Sequence, residues 1–245
     1  MKYLVWANFK MYKNQDELKT YFDTFISKYD CFTNTDIMIA PMTVCLSTAS
    51  ELTKNSCIHL GAQNMHHEDQ WAYTGETSPL VLKELGSEYV IIGHSERRKY
   101  FGETDEIINK KIISALHHGL RPILCIGEND QEKSLGISKD VLKIQLRKAL
   151  ETIDQIEKID IAYEPLRAIG TGKTPTPEEI QDIHTYIRSI IGNESSRIIY
   201  GGSVNDSNAE TIIKQSAVNG FLIGGASLDA EKFLHIITTV ANTNK

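Results

Sequence analysis

Eight short apolar segments recur along the chain at fairly even intervals. They are rich in Ile, Val and Tyr and apolar nearly throughout, as strands are when both faces of a parallel sheet are covered. We therefore predict strands over YLVWA (3–7), DIMIA (36–40), CIHLGA (57–62), YVIIG (89–93), PILCIG (122–127), IDIAY (159–163), RIIYG (197–201) and GFLIG (220–224).

Longer segments between these strands show the spacing of amphipathic helices. The clearest is 176–191, whose isoleucines fall on one helical stripe. Its start is marked by Thr176 as the N-cap, Pro177 in the first turn and Glu179 as the second half of a capping box. Other predicted helices are one that begins at Ser78-Pro79 and ends before Gly86, one over 105–118 that ends before Gly119, and 14–29, 43–54, 137–156, 205–215 and 229–240.

Strands and helices alternate strictly, which predicts a parallel sheet because a parallel return needs a crossover connection. Eight such units in 245 residues fit a closed (β/α)₈ barrel, which takes about 250 residues. No linker, internal repeat or charge block interrupts the alternation. We predict one α/β domain over residues 1–245, with a closed eight-stranded parallel sheet.

The charge balance excludes some classes of partner. With 26 Lys and Arg against 32 Asp and Glu, the net charge is −6. Nucleic-acid grooves and anionic membrane surfaces both favour clustered Lys and Arg, so we expect neither partner. No run of about 18 apolar residues is present, so we also expect no membrane span.

The cysteines bear on the compartment. Cys31, Cys45, Cys57 and Cys125 contain no CxxC pair, and the N-terminal segment turns polar too early for a secretory signal. We therefore expect reduced thiols in a cytoplasmic protein.

Candidate chemistry follows from the barrel itself, because active sites of such barrels lie at the C-terminal ends of the strands. The first predicted strand is followed by Asn8 and Lys10, the fourth by His94 and the sixth by Glu164. Lys10 supplies a positive group, and His94 with Glu164 forms an acid/base pair. We predict proton-transfer chemistry on this rim and no metal site.

Three glycine-bearing loops lie on the same predicted rim. They are Gly170-Thr171-Gly172 after the sixth strand, Gly201-Gly202-Ser203 after the seventh and Gly224-Gly225 after the eighth. Residues without Cβ let the backbone approach an anion and direct several N–H groups at it. In such barrels the loops after the seventh and eighth strands commonly bind phosphate, so we predict a phosphorylated small-molecule substrate.

Taken together, these motifs resemble the triosephosphate isomerase family along essentially the whole chain. The resemblance implies a TIM barrel that interconverts dihydroxyacetone phosphate and D-glyceraldehyde 3-phosphate through an enediolate, in glycolysis and gluconeogenesis. It also implies an aldose–ketose isomerase that needs no metal or organic cofactor. The matching segments are ANFKMY (7–12), TGE (74–76), IIGHSERR (91–98), AYEP (162–165) with AIGTGKTPT (168–176), YGGSV (200–204) and GFLIGGASL (220–228).

The resemblance also implies a role for each matching residue. Glu164 would be the base, His94 the neutral electrophile and Lys10 the positive charge beside the enediolate. Substrate contacts would come from Asn8 and from backbone N–H groups of Gly170, Ser203, Gly224 and Gly225.

Supporting residues and a partner are implied in the same way. Glu96 would orient Lys10, and Arg98 and Glu103 would form an ion pair behind the histidine loop. The family is dimeric, so Thr74-Gly75-Glu76 would insert into the site of a second copy.

Two departures from the family pattern leave alternatives open. Arg167 replaces a tryptophan of the lid hinge, and Trp71 lies where the dimer loop usually has small residues. One alternative is a barrel sugar-phosphate isomerase whose Arg167 binds a larger or doubly charged substrate. Another is a catalytically silent phosphate-binding protein, although such a protein would need only the glycine loops and not Lys10, His94 and Glu164 together.

Overall fold

A computed structural model of the chain describes residues 1–166 and 174–243. Eight parallel strands close into one barrel in sequence order, and β8 pairs with β1. This confirms the predicted fold. The strands are β1 (Tyr3–Asn8), β2 (Thr35–Ala40), β3 (Ile58–Ala62), β4 (Tyr89–Ile92), β5 (Arg121–Ile126), β6 (Asp160–Tyr163), β7 (Ile198–Tyr200) and β8 (Gly220–Ile223).

Helices surround this barrel. They are α1 (Gln15–Lys28), α2 (Leu46–Thr53), α3 (Pro79–Glu84), α4 (Ser95–Phe101), α5 (Asp105–His117), α6 (Asp130–Ser134), α7 (Ser138–Ala149), α8 (Pro177–Ile191), α9 (Ala209–Ile213) and α10 (Ala230–Ala241). The predicted capping box of α8 is present. The Glu179 N–H donates to Thr176 Oγ1 at 3.2 Å, and the Thr176 N–H donates to Glu179 Oε2 at 2.9 Å.

Two helix predictions need correction, and two short helices were not predicted. The helix predicted over 137–156 ends at Ala149, and Thr152 beyond it has a left-handed backbone, φ 62°, that a helix cannot contain. The helix predicted over 205–215 spans only Ala209–Ile213. Helices α4 and α6 were not predicted, because seven and five residues are too few to show a periodic stripe.

The barrel has two apolar layers. The larger lies between the sheet and the helices, and the smaller fills the barrel interior as side chains that alternate along the strands. Gly61 makes room there for Trp6, since a Cβ at position 61 would lie 2.6 Å from the indole ring. The interior residues are Leu4, Trp6, Met38, Ala40, Tyr89, Ile91, Ile123, Cys125, Ala162, Ile199 and Leu222.

Two of the four cysteines are oxidised, so the prediction of reduced thiols was wrong for them. Cys31 and Cys57 form a disulfide with their Cα atoms 6.0 Å apart, whereas Cys45 and Cys125 are free and buried. Cys31 precedes β2 and Cys57 precedes β3, so both lie where the chain enters neighbouring strands. The two cysteines are 26 residues apart in sequence, and only the pairing of β2 with β3 brings them close together.

No helix within the described ranges, 1–166 and 174–243, is both long enough and apolar enough to cross a membrane.

Candidate active site

Glu164 lies directly after β6, and hydrogen bonds and close packing fix its position. Its N–H donates to the Ile126 carbonyl at 2.8 Å, and its Oε2 accepts the Ser95 N–H at 3.1 Å. The side chain is only 2% exposed. Glycine is required on both sides, because a Cβ at Gly127 would lie 1.8 Å from the Glu164 carbonyl oxygen and one at Gly201 2.8 Å from its Cγ. The carboxylate is therefore fixed in a narrow slot at the barrel rim.

His94 is the N-cap of α4, and its ring orientation follows from that position. Its Nδ1 accepts the backbone N–H of Glu96 at 3.2 Å. A ring nitrogen that accepts this bond carries no proton, so the proton of the neutral imidazole lies on Nε2. Nε2 is 3.2 Å from Glu164 Oε1. The imidazole is thus placed to donate a hydrogen bond into the same region that the carboxylate faces.

Lys10 reaches the site from the loop after β1. Its Nζ lies 2.6 Å from Glu96 Oε1, and its N–H donates to Asn8 Oδ1 at 3.0 Å. Gly224 packs against the lysine stem, since a Cβ there would lie 3.2 Å from Lys10 Cε. The loops after β1, β4 and β8 therefore meet around the Lys10 ammonium group.

The glycine loops after β7 and β8 lie on the same side of the rim as Lys10. Gly225 opens a short 3₁₀ helix, Gly225–Leu228, and the first N–H groups of such a helix have no partner within it. The Ser227 hydroxyl holds this turn by donating to the Gly224 carbonyl at 2.7 Å. Asn208 Nδ2 anchors the neighbouring loop by donating to the Ser203 carbonyl at 3.0 Å. Gly170 and Arg167, also selected from the sequence, lie outside the described residues.

The expected ion pair between Arg98 and Glu103 is not formed. Arg98 Nη1 lies 2.6 Å from Asp105 Oδ1, and Arg98 Nη2 donates to the Cys125 carbonyl at 3.1 Å. Arg98 therefore joins the end of β5 to the start of α5. Its neighbour Arg97 forms the ion pair with Glu103 that the resemblance assigned to Arg98.

Glu103 instead pairs with Arg97 and Lys111, the latter at 2.5 Å. Burial alone would raise the pKa of Glu103, but hydrogen bonds from Lys111 and Arg97 lower that pKa below its ordinary value. The three side chains form a charged cluster behind the histidine loop.

Comparison with known proteins agrees with this geometry. The sequence profile of the family described as Triosephosphate isomerase matches residues 3–240. The triosephosphate isomerase of Aquifex aeolicus (strain VF5) is 45% identical over 244 residues, 97% of this chain and 99% of the relative. That of Dictyoglomus thermophilum is 44% identical over 243 residues, 96% of this chain and 98% of the relative. The chain belongs to the triosephosphate isomerase family.

Members of the triosephosphate isomerase family interconvert dihydroxyacetone phosphate and D-glyceraldehyde 3-phosphate, and so does this chain. The reaction is a cofactor-independent isomerisation and belongs to glycolysis and gluconeogenesis. Among the described residues, no group of three or more His, Cys, Asp or Glu side chains could hold a metal ion.

Two polar residues beside the candidate site were not identified from the sequence. Gln63 follows β3 and donates from Nε2 to the Lys10 carbonyl at 2.9 Å and the Ala40 carbonyl at 3.0 Å. Glu128 follows β5, is 2% exposed, and accepts the Tyr163 hydroxyl at 3.1 Å. Both come just after a strand, the same signal that selected Asn8 and Glu164, but neither lay in a matching motif.

Proposed function

We propose that Lys10, His94 and Glu164 carry out the proton transfers of the isomerisation. The observation that carries this proposal is the 3.2 Å separation of His94 Nε2 and Glu164 Oε1. A base and a hydrogen-bond donor this close can act on adjacent carbon and oxygen atoms of one small substrate. Lys10 adds a positive charge to the same rim, paired with the Glu96 carboxylate.

The steps follow from these positions. The Glu164 carboxylate removes a proton from C1 of dihydroxyacetone phosphate, and the electron pair moves to the C2 carbonyl oxygen. The resulting enediolate oxygen is stabilised by the Lys10 ammonium and the His94 Nε2–H. His94 moves a proton from the C1 hydroxyl to the C2 oxygen. Glu164 then returns its proton to C2, which completes D-glyceraldehyde 3-phosphate with no net gain or loss of protons.

Backbone N–H groups hold the phosphate in this proposal. Ser203, Gly224 and Gly225 supply them from the loops after β7 and β8, and Gly170 would supply another by family resemblance. The open N-terminal turn at Gly225 supports the assignment, because unpaired backbone N–H groups at such a turn attract anions.

A homodimer formed through Thr74-Gly75-Glu76 is part of the proposal. Large apolar side chains around this loop are exposed, including Met11 (86%), Trp71 (87%) and Phe101 (66%). Large exposed apolar patches mark interaction sites. Met11 and Phe101 also line a cleft of about 440 Å³ that reaches Lys10 and His94, so a second copy bound there would cover the catalytic side chains.

Two further expectations stay predictions. We infer one catalytic domain over residues 1–245, which the pairing of β8 with β1 supports. The cytoplasmic location also stays a prediction. One of its premises, four reduced thiols, is weakened by the Cys31–Cys57 disulfide.

The substitution Glu164→Gln tests the catalytic proposal. The amide cannot take up the proton, so kcat should fall by about 10²–10⁴-fold, while a substrate-like phosphate still binds. The assay is isomerisation of D-glyceraldehyde 3-phosphate, coupled to reduction of the dihydroxyacetone phosphate formed. Glu178→Gln, an exposed glutamate in the first turn of α8, is the matched control and should be unchanged. Full turnover by Glu164→Gln would remove Glu164 from the mechanism.

A further inference from the structure

Lys10 has a backbone conformation that is unusual for a residue with a side chain. Its φ is 50°, in the left-handed region that favours glycine. Such a conformation persists only where the surrounding structure holds it in place, and it is frequent at functional sites. The groups that hold the Lys10 backbone therefore also determine where its ammonium points.

Both backbone polar groups of Lys10 are bound by side chains. Asn8 Oδ1 accepts the Lys10 N–H at 3.0 Å, and Gln63 Nε2 donates to the Lys10 carbonyl at 2.9 Å. The same Gln63 nitrogen donates to the Ala40 carbonyl at the end of β2, at 3.0 Å. Gln63 thus links Lys10 to the rigid ends of β2 and β3.

Because the lysine side chain is long, the conformation of the Lys10 backbone determines where its Nζ lies in the site. If the backbone relaxed to negative φ, the direction of Cβ would change and the displacement would grow along the stem to Nζ. Nζ now lies 2.6 Å from Glu96 Oε1, and the stem packs beside Gly224. Both contacts are made from the left-handed backbone.

We propose that Gln63 is a positioning residue for Lys10. Its amide holds the lysine backbone left-handed and so directs the ammonium at the oxygen that becomes negative during isomerisation. The inference rests on the charge-stabilising role proposed above for Lys10. Gln63 itself need not touch the substrate.

Gln63→Met tests this, because methionine has a similar length but donates no hydrogen bond. We expect kcat/KM to fall by about 10–100-fold, because displacing a catalytic group by about 1 Å can cost about that much in rate. The matched control is Asn109→Leu. Asn109 Nδ2 also donates to two backbone carbonyls, of Ala149 at 3.0 Å and Glu151 at 2.8 Å, but it lies on the outer helices. Asn109→Leu should lower the melting temperature comparably and leave the kinetics unchanged.

A double-mutant cycle with Lys10→Met distinguishes positioning from general loosening. If Gln63 acts through Lys10, Gln63→Met should cause no further loss of kcat/KM once Lys10 is Met. Losses that multiply, or wild-type kinetics in Gln63→Met while Lys10→Met is impaired, would overturn the positioning role and leave the role of Lys10 intact. Full activity in Lys10→Met would instead overturn both.

A second variant covers the case in which Gln63→Met does not fold. Gln63→Asn keeps the amide but is one methylene shorter, so it withdraws the donor from both carbonyls. The same non-additivity with Lys10→Met is expected, and additive losses again contradict the proposal. Sedimentation of each variant shows whether its oligomeric state matches that of the parent chain.

Discussion

At the scale of single residues, Glu128 is a buried carboxyl group with little support for a negative charge. The Tyr163 hydroxyl donates to Oε1, whereas Oε2 has no hydrogen-bond partner among residues 1–166 and 174–243. Burial raises the pKa of Glu128 above its ordinary value, more than the hydrogen bonds lower it. The folded protein therefore favours the protonated form more strongly than the unfolded chain does, so an ionised Glu128 opposes folding.

Glu128→Gln should raise the melting temperature at pH 8, by about 2–4 °C for each kcal/mol of stability gained in a protein of this size. The sign follows from linkage: stability from protonated Glu128 is complete below the unfolded pKa and is lost as the pH rises through the raised folded pKa. Glutamine stays neutral at every pH, so the difference should shrink as the pH falls to 4.5, the ordinary pKa of glutamate, and should vanish below it. Circular dichroism melts of both proteins at the two pH values measure it. A lower melting temperature for the variant at pH 8 would contradict this account.

The sequence predicts which residues lie on the rim where a motif identifies them, but it does not predict partners that come from distant loops. Lys10, His94 and Glu164 could be selected because each follows a recognisable strand. The partner of Arg98 could not, because Asp105 and Glu103 both follow it closely and only the path of the chain after α4 decides between them. Gln63 carries no motif at all, and its hydrogen bond to Lys10 spans 53 residues.

At the scale of elements, the disulfide joins the two loops that enter β2 and β3. Both loops lie at the N-terminal ends of the strands, opposite the rim that bears Glu164. Cys31 and Cys57 are exposed, so reductants can reach the bond. Stability and catalysis should therefore respond separately to its loss.

Cys31→Ser should lower the melting temperature by about 6–12 °C and leave kcat unchanged. Closing a loop of this length restricts the unfolded chain by roughly 3 kcal/mol, and each kcal/mol corresponds to about 2–4 °C. Differential scanning calorimetry of oxidised wild type, reduced wild type and the variant tests this. The reduced wild type should match the variant. An oxidised protein that melts no higher than either would contradict the stabilising role.

At the scale of the whole molecule, barrel closure brings to one rim residues that are 154 positions apart in sequence, Lys10 and Glu164. The alternation of strands and helices was enough to predict that closure. Whether and how Thr74-Gly75-Glu76 fits a second copy could not be predicted in the same way, because that depends on the shape of a surface and not on a periodic pattern.

Phe101→Asp tests the proposed homodimer against a matched control. Phe101 is 66% exposed beside the cleft near Lys10, and Leu135 is 65% exposed between α6 and α7. A buried interfacial charge without a partner is costly, so Phe101→Asp should sediment as a monomer and lose activity. Leu135→Asp should sediment at twice the mass of one chain with normal activity. Equal masses for the two variants would contradict the proposed interface.

The central claim is that a side-chain base moves the proton between neighbouring carbons through an enediolate. The most direct measurement is the isomerisation of D-glyceraldehyde 3-phosphate in D₂O, with NMR or mass spectrometry of the dihydroxyacetone phosphate formed. Because a carboxyl group such as Glu164 exchanges its proton with solvent, the account predicts deuterium bound to C1 of the product. A product that keeps the substrate hydrogen throughout, with no deuterium on carbon, would indicate a direct hydride shift and contradict the account.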